Sequence, residues 1–260
     1  MLATGELFIS VFGNARRQQS ISELSSGNPH QVFSTYANIL GWGGSESSDE
    51  DSNDTTLWYI EEAGGDWDNN QIRSDSDCLL WVQVGMPYRT KRNIIPIMQI
   101  VACTEKTWIR MGFDIPSGVQ LMIPLGCGPI DKPSWIAPLF DLHETHGSVS
   151  TILYEIEFGE NDSCVRFANK IIEEANRDLA RDGIRFEPPR IIDGTEYLLQ
   201  EPGEMSRDLW MGHSSARIRT KVYIPEEFSF DVAGHIAKHV ARSCQKLGIN
   251  NHILTSASPT

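Results

Sequence analysis

The chain has 260 residues, of which 40% are hydrophobic and 22% are charged, and its formal net charge at pH 7 is −13. Apart from the acidic charge, these values are ordinary for a globular protein of one or two domains. The net charge disfavours nucleic acid as a partner, because phosphate binding requires clustered lysine and arginine. The chain contains no apolar run of about 18 residues and begins without basic residues, so we expect neither a membrane span nor a signal peptide.

The N-terminal part, residues 1–140, is predicted to be rich in β-structure with a single helix. Short apolar or alternating runs between polar, glycine and proline breaks indicate strands. One segment has an early proline and a glycine after its end, which is typical of a helix. The predicted strands are Leu7–Phe12, Thr56–Ile60, Cys78–Val84, Ile94–Ala102, Thr107–Phe113 and Val119–Pro124, and the predicted helix is Pro29–Leu40.

Within this part, the segment Glu46–Asp77 holds eleven acidic residues and one basic residue, with aromatic residues interleaved. Self-repulsion makes such a segment costly to fold onto itself. We therefore expect either a solvated loop or a surface on which a basic partner docks. The candidate binding residues in the segment are Asp49, Asp51, Trp58 and Trp67.

The C-terminal part, residues 141–260, has a clearer pattern. Alternation over Val149–Phe158 and Ala216–Ile224 predicts two half-buried strands. Apolar residues at helical spacing predict two helices, the first ending near Gly183 and the second beginning at Ser229. With short extended pieces at 184–192 and 253–255, the order becomes strand, helix, strand, strand, helix, strand.

This order is that of the ferredoxin-like βαββαβ plan, an antiparallel sheet with two helices on one face. The plan makes the first and third strands antiparallel neighbours. Their polar faces are complementary, since Glu155 and Glu157 lie on one strand while Arg217, Arg219 and Lys221 lie on the other. Opposite charges across a strand pair are stabilising. The fold class predicted for the whole chain is therefore α+β, with residues 1–140 and 141–260 as two parts that could pack as one domain.

The five cysteines are odd in number, widely spaced and mostly within apolar runs. They are predicted to be reduced core residues, as in a cytoplasmic protein. Cys127, between two glycines, is the candidate nucleophile because such a turn can expose a thiol. A paired base would have to come from His143 or His146, which lie in the sequence Asp141-Leu-His-Glu-Thr-His146.

The same pair, His143 and His146, has a spacing that could hold a metal ion, but no second motif supports it, so we expect no metal and no cofactor. His235 and His239 lie four residues apart on the last helix beside Lys238 and Arg242. That pattern predicts a solvated basic face rather than a metal site. Arg89 and Arg92 form the main basic cluster of the first half and are candidate anion-binding residues. Ser214, in Gly212-His-Ser-Ser-Ala216, lacks the strand before it that a nucleophile elbow requires.

No set of residues predicts a particular reaction. The leading hypothesis is a protein-binding or assembly module that presents an acidic, aromatic-bearing surface to a basic protein partner. One alternative is a small-molecule enzyme with a site between the two halves, using Cys127 or the His143/His146 cluster. A second alternative is a nucleic-acid binder that uses the basic strand face. Association of copies of the chain is left open.

Overall fold

The computed structural model of the chain describes residues 5–13, 29–44, 58–60, 77–86, 94–130, 149–193, 197–199, 212 and 214–260. These residues form four α-helices and ten strands, and every strand belongs to one open sheet. All strand pairings in this sheet are antiparallel except that of the two short strands at one end. The protein is therefore a mixed α and β structure, as the sequence predicts.

The first half of the described chain contributes five strands and two helices. The strands are β1 (Glu6–Gly13), β2 (Gly43–Gly44), β3 (Trp58–Ile60), β4 (Asp77–Gly85) and β5 (Gly118–Pro124), and the helices are α1 (Pro29–Ile39) and α2 (Ile97–Met111). The strands predicted at Ile94–Ala102 and Thr107–Phe113 were wrong, because most of both segments lies in α2. Gly112 ends this helix with a φ of 73°, a left-handed conformation that glycine adopts without strain.

The second half contributes the other five strands and two helices. The strands are β6 (Ser150–Glu157), β7 (Arg185–Phe186), β8 (Arg190–Asp193), β9 (Ala216–Ile224) and β10 (His252–Pro259), and the helices are α3 (Ala168–Leu179) and α4 (Phe230–Lys246). The predicted helix start at Ser229 is confirmed, since its side chain accepts a hydrogen bond from the Val232 amide. The predicted pairing of the first and third strands is also confirmed, because β6 and β9 are antiparallel neighbours in which Glu155 lies opposite Arg219.

Along the sheet the strands follow the order β2-β3-β4-β1-β5-β10-β6-β9-β7, and β8 also pairs with β9. The C-terminal strand β10 lies in the middle, hydrogen-bonded to β5 of the first half and to β6 of the second. Strands of both halves therefore share one sheet. Without the short strands β2 and β8, each half has four strands. The first of the four along the chain then lies between the third and the last, and the second lies beyond the third. This shared order is β3-β4-β1-β5 on one side of the centre and β7-β9-β6-β10 on the other.

The helices form one layer on one face of the sheet. In this layer α1 contacts α2, α2 contacts α4 and α4 contacts α3. A single cluster of buried apolar residues joins all four helices to strands from both halves. On the opposite face, Phe8, Met122 and Leu254 form a smaller cluster against Trp81. The burial of one continuous core beneath both halves is the main stabilising contribution expected for such a layered fold.

Candidate functional site

The acidic segment adjoins one end of the sheet. Strand β3 pairs with β4 on one side and with only the two glycines of β2 on the other, so β3 lies next to the edge. Eleven acidic residues occur at positions 46–77, almost all of them in the residues that enter or leave this strand. The chain connectivity therefore attaches both acidic stretches to the same short strand beside the edge, although the stretches themselves lie outside the described residues.

Trp58, predicted as an exposed anchor in this segment, is fully buried at 0% exposure. Its ring centroid lies 6.4 Å from that of Phe33 in α1 and 6.1 Å from that of Trp42. The interpretation of Trp58 as a docking residue is therefore corrected, because an aromatic ring enclosed by other rings stabilises the core and cannot contact a partner. Most of the other predicted site residues lie outside the described residues, namely Trp67, Asp49, Asp51, Arg89, Arg92, His143 and His146.

Cys127 ends the single 3₁₀ turn that follows β5. The thiol packs so closely on Gly5 that an added Cβ there would lie 1.9 Å from the Cys127 Sγ. Burial raises the pKa of the Cys127 thiol. At neutral pH the side chain is therefore a thiol rather than the reactive thiolate, so its surroundings do not activate it as a nucleophile.

Ser214 and Ser215 act together as an anchor for the loop that leads into β9. The Ser214 hydroxyl donates a hydrogen bond of 2.8 Å to the Asp162 carboxylate, and the Ser215 amide donates to both oxygens of the same carboxylate. Burial would raise the pKa of Asp162, but the hydrogen bonds from the two serines outweigh it and lower that pKa. The Ser214 hydroxyl therefore donates to the ionised carboxylate of Asp162, and this contact holds the loop in place.

A charged network lies on the helix-free face of the sheet. Arg217 is 0% exposed, and its Nε lies 3.4 Å from Glu155 Oε1. Arg219 approaches the other oxygen of Glu155 at 2.8 Å. The Arg217 guanidinium also stacks over the Tyr197 ring, with 4.0 Å between the guanidinium carbon and the ring centroid. These contacts make the predicted basic strand face a buried ion-pair network, so Arg217 is not available to bind phosphate.

The segment at 197–199 crosses this network. The Leu198 amide donates to Glu155, and a Cβ on Gly118 of β5 would meet the Leu199 side chain at 2.5 Å. Residues 197–199 therefore extend from β9 across β6 to β5 over the helix-free face. This crossing links the two halves on the side opposite the helices.

Another polar cluster lies where α3 packs against α4. His235 Nε2 is 2.8 Å from Oδ2 of Asp182, a residue in the 3₁₀ turn that follows α3. The ring centroids of His235 and His239 are 4.7 Å apart. One possible ligand atom from each of Asp182, His235 and His239 lies within 4.8 Å of the others. The predicted solvated face at His235 and His239 is therefore corrected for His239, which is buried. The contribution of Asp182 could not be predicted, because Asp182 and His235 are 53 positions apart and nothing in their spacing pairs them.

Comparisons with known proteins give no identity. No protein-family model matches the chain. No curated protein matches it. Among solved structures, the chain is similar to the crystal structure of an unknown protein from Galdieria sulphuraria, with 14% identity, coverage of 99% of both chains and a TM-score of 0.22. A TM-score this low carries no argument about the fold.

Proposed function

We propose that the chain is a protein-docking module that receives a basic protein partner at the β2–β3 end of its sheet. One observation carries the proposal: the acidic stretches at 46–57 and 61–77 are joined to the two ends of the same strand, β3, which lies next to the edge of the sheet. A dense negative charge attached to one end of a rigid sheet attracts a positively charged surface and orients it during the encounter.

The architecture that we propose for this module is a pair of ferredoxin-like units. The strand order β7-β9-β6-β10, with helices α3 and α4 in the intervening connections, supports such a unit in the second half. The order β3-β4-β1-β5, with α1 and α2, supports another in the first half. Within the described ranges no helix has the length and apolar character needed to cross a bilayer. All five cysteines are unbridged, which supports a reducing compartment such as the cytoplasm.

Because Trp58 is buried, the attraction rests mainly on charge, with Trp67 as the remaining aromatic candidate. Charge-dominated binding weakens as salt increases, since the Debye length falls to about 8 Å at physiological ionic strength. We therefore expect binding to a basic partner to be fast and strongly salt-dependent. A salt-insensitive interaction would point to an apolar surface elsewhere on the molecule.

The test compares two sets of four charge-neutralising substitutions. The first set changes Asp49, Glu50, Asp51 and Asp54 to the corresponding amides. The matched control makes the same change of net charge at exposed acids elsewhere, namely Asp114, Glu173, Asp193 and Glu227. The measurement is the affinity of each protein for a lysine- and arginine-rich peptide at low and moderate salt, together with the set of proteins cross-linked to each in a lysate of the native host.

We expect the first set to lose both the peptide affinity and specific cross-links, and the control set to lose much less. Equal losses from the two sets would show that only the overall charge matters and would refute a localised docking edge. At the opposite end of the sheet, Arg185 and Arg190 are exposed, so a second copy of the chain is itself a basic candidate. Sedimentation of the wild-type protein at low salt separates self-association from capture of a different partner.

A further inference from the structure

Two histidines on one helix and a carboxylate from a neighbouring segment converge at the α3–α4 contact. We infer that Asp182, His235 and His239 form a binding site for a divalent transition-metal ion such as Zn²⁺, Co²⁺ or Ni²⁺. The geometry is suitable because the possible ligand atoms of the three residues all lie within 4.8 Å of one another. Two imidazole nitrogens with one carboxylate oxygen favour these ions, whereas Ca²⁺ and Mg²⁺ favour sites made of oxygen alone.

The position of the two histidines on α4 supports a shared ligand. Residues four apart on a helix lie on the same face, so His235 and His239 can approach one ion together. Asp182 then supplies a donor from the turn after α3, which fixes the third ligand on a different element. With three protein ligands, a tetrahedral ion keeps one position for water or an exogenous ligand, as catalytic rather than structural zinc sites do.

The state of His239 is a second, independent reason to infer a ligand. This residue is only 8% exposed, and its Nδ1 has no hydrogen-bond partner among the described residues. The nearest acid, Asp178, has its Oδ2 3.8 Å from that nitrogen, which is too far for a hydrogen bond. An unsatisfied buried polar atom is unfavourable, so a group that engaged this nitrogen of the imidazole would remove that cost.

The protonation state of His239 is also suited to binding a metal ion. Burial, together with the neighbouring His235, Lys238 and Arg242, lowers the pKa of His239 to about 4 against the opposing effect of Asp178. A neutral imidazole has a lone pair available for a metal ion without first losing a proton. Lys238 and Arg242 oppose the positive charge of an ion, whereas the carboxylates of Asp178 and Asp182 favour it.

Binding would change one contact. The donors of a tetrahedral site with bonds of about 2.1 Å lie about 3.4 Å apart. His235 Nε2 and Asp182 Oδ2 are 2.8 Å apart, so an ion between them would replace their direct hydrogen bond. Widening this pair from 2.8 Å to about 3.4 Å moves two partly exposed side chains apart by about 0.6 Å.

The experiment uses protein without a histidine tag, treated with chelator and then desalted. Titration with Co²⁺ is followed by its visible d–d absorption, and Zn²⁺ is then added as a competitor. We expect one ion per chain and a rise in melting temperature with Zn²⁺, because an ion that binds only the folded state stabilises it. Asp182→Ala, His235→Gln and His239→Ala should each weaken Zn²⁺ binding by about tenfold or more.

His30→Ala and Asp193→Asn, which change the same residue types elsewhere, are the controls and should leave the affinity unchanged. Because His239 is buried, circular dichroism without metal checks that His239→Ala still folds. If His239→Ala does not fold, the variants of the partly exposed Asp182 and His235 provide the test. Absence of a Co²⁺ spectrum at millimolar metal, or an affinity unchanged by both Asp182→Ala and His235→Gln, would overturn the inference. An equal loss of metal affinity in the two control variants would also overturn the inference.

Discussion

Asp231 lies in the first turn of α4, and its Oδ1 is buried without a hydrogen-bond partner among the described residues. Burial, together with the nearby Glu105 and Glu226, raises the pKa of Asp231 to about 6 against the opposing effect of Lys106. The folded protein therefore holds the proton of this carboxyl more tightly than the unfolded chain does. The stabilisation that follows is fully present below about pH 4 and is lost as the pH rises through about 6.

From this we predict that Asp231→Asn raises the melting temperature at about pH 7.5 and changes it little at about pH 4. Asparagine is neutral at both values, so it removes a charge that is unfavourable only at the higher pH. The exposed Asp114→Asn is the control. The positive end of the helix dipole favours an anion in the first turn. A lower melting temperature for Asp231→Asn at the higher pH would show that the dipole outweighs burial.

Arg217 offers a second test at the scale of single residues. Removing one partner of a buried ion pair costs about 3–5 kcal/mol where the other charge is left uncompensated. Because Arg219 still pairs with Glu155 when Arg217 is removed, the lower end of this range applies. We predict that Arg217→Met lowers the free energy of unfolding by about 3 kcal/mol. Lys221→Met, an exposed change on the same strand, should stay within about 0.5 kcal/mol. Similar values for the two variants in denaturant titrations would mean that the network on this face contributes little.

At the scale of elements, the crossing of α2 and α4 depends on the absence of a side chain at Gly234. A Cβ there would lie 2.8 Å from Cγ2 of Val101, which is fully buried in α2. Alanine is favoured over glycine in a helix by about 1 kcal/mol. Overpacking of a core costs about 1–3 kcal/mol, so the steric effect should exceed the gain in helix propensity.

We therefore predict that Gly234→Ala destabilises the protein by about 1–2 kcal/mol in the presence of Val101. In a Val101→Ala background the same substitution should be neutral or stabilising, because the clash is gone and the helix propensity remains. Denaturant titrations of the four proteins give the coupling between the two positions. Additive effects would show that α2 and α4 do not meet at Gly234.

Helix α2 shows why part of the secondary structure of the first half could not be predicted. Every residue at 97–104 is buried, so this region has no exposed polar face and resembles a buried strand in its pattern. Thr104 and Thr107 break the apolar pattern, yet their hydroxyls donate to the Ile100 and Cys103 carbonyls one turn earlier. By contrast, β6 and β9 alternate clearly because their two faces differ, and both were predicted at nearly their observed bounds.

At the scale of the molecule, what sequence patterns missed are contacts between distant segments. The pairing of Asp182 with His235, and the burial of His239 and Trp58, depend on how helices and sheet edges pack, not on local spacing. The repeated strand order of the two halves was equally hidden, because no internal sequence repeat accompanies it. The Glu and Arg faces of β6 and β9 were predictable because the sequence itself carries complementary charges on two alternating segments.

The shared sheet and core imply that the two halves unfold together. Strand β10 has hydrogen-bonded neighbours in both halves, and α2 and α4 meet within one continuous core, so neither half can open without exposing apolar surface of the other.

We predict that pulse hydrogen exchange in increasing urea, read by mass spectrometry on peptides from β1 and β9, gives the same midpoint for both. Thr255→Pro, which introduces a proline into the centre of β10, should lower both midpoints equally. Ser258→Pro, near the end of the same strand, is the control and should lower them less. Loss of protection in β1 at a urea concentration where β9 stays protected would instead identify two independently folding units.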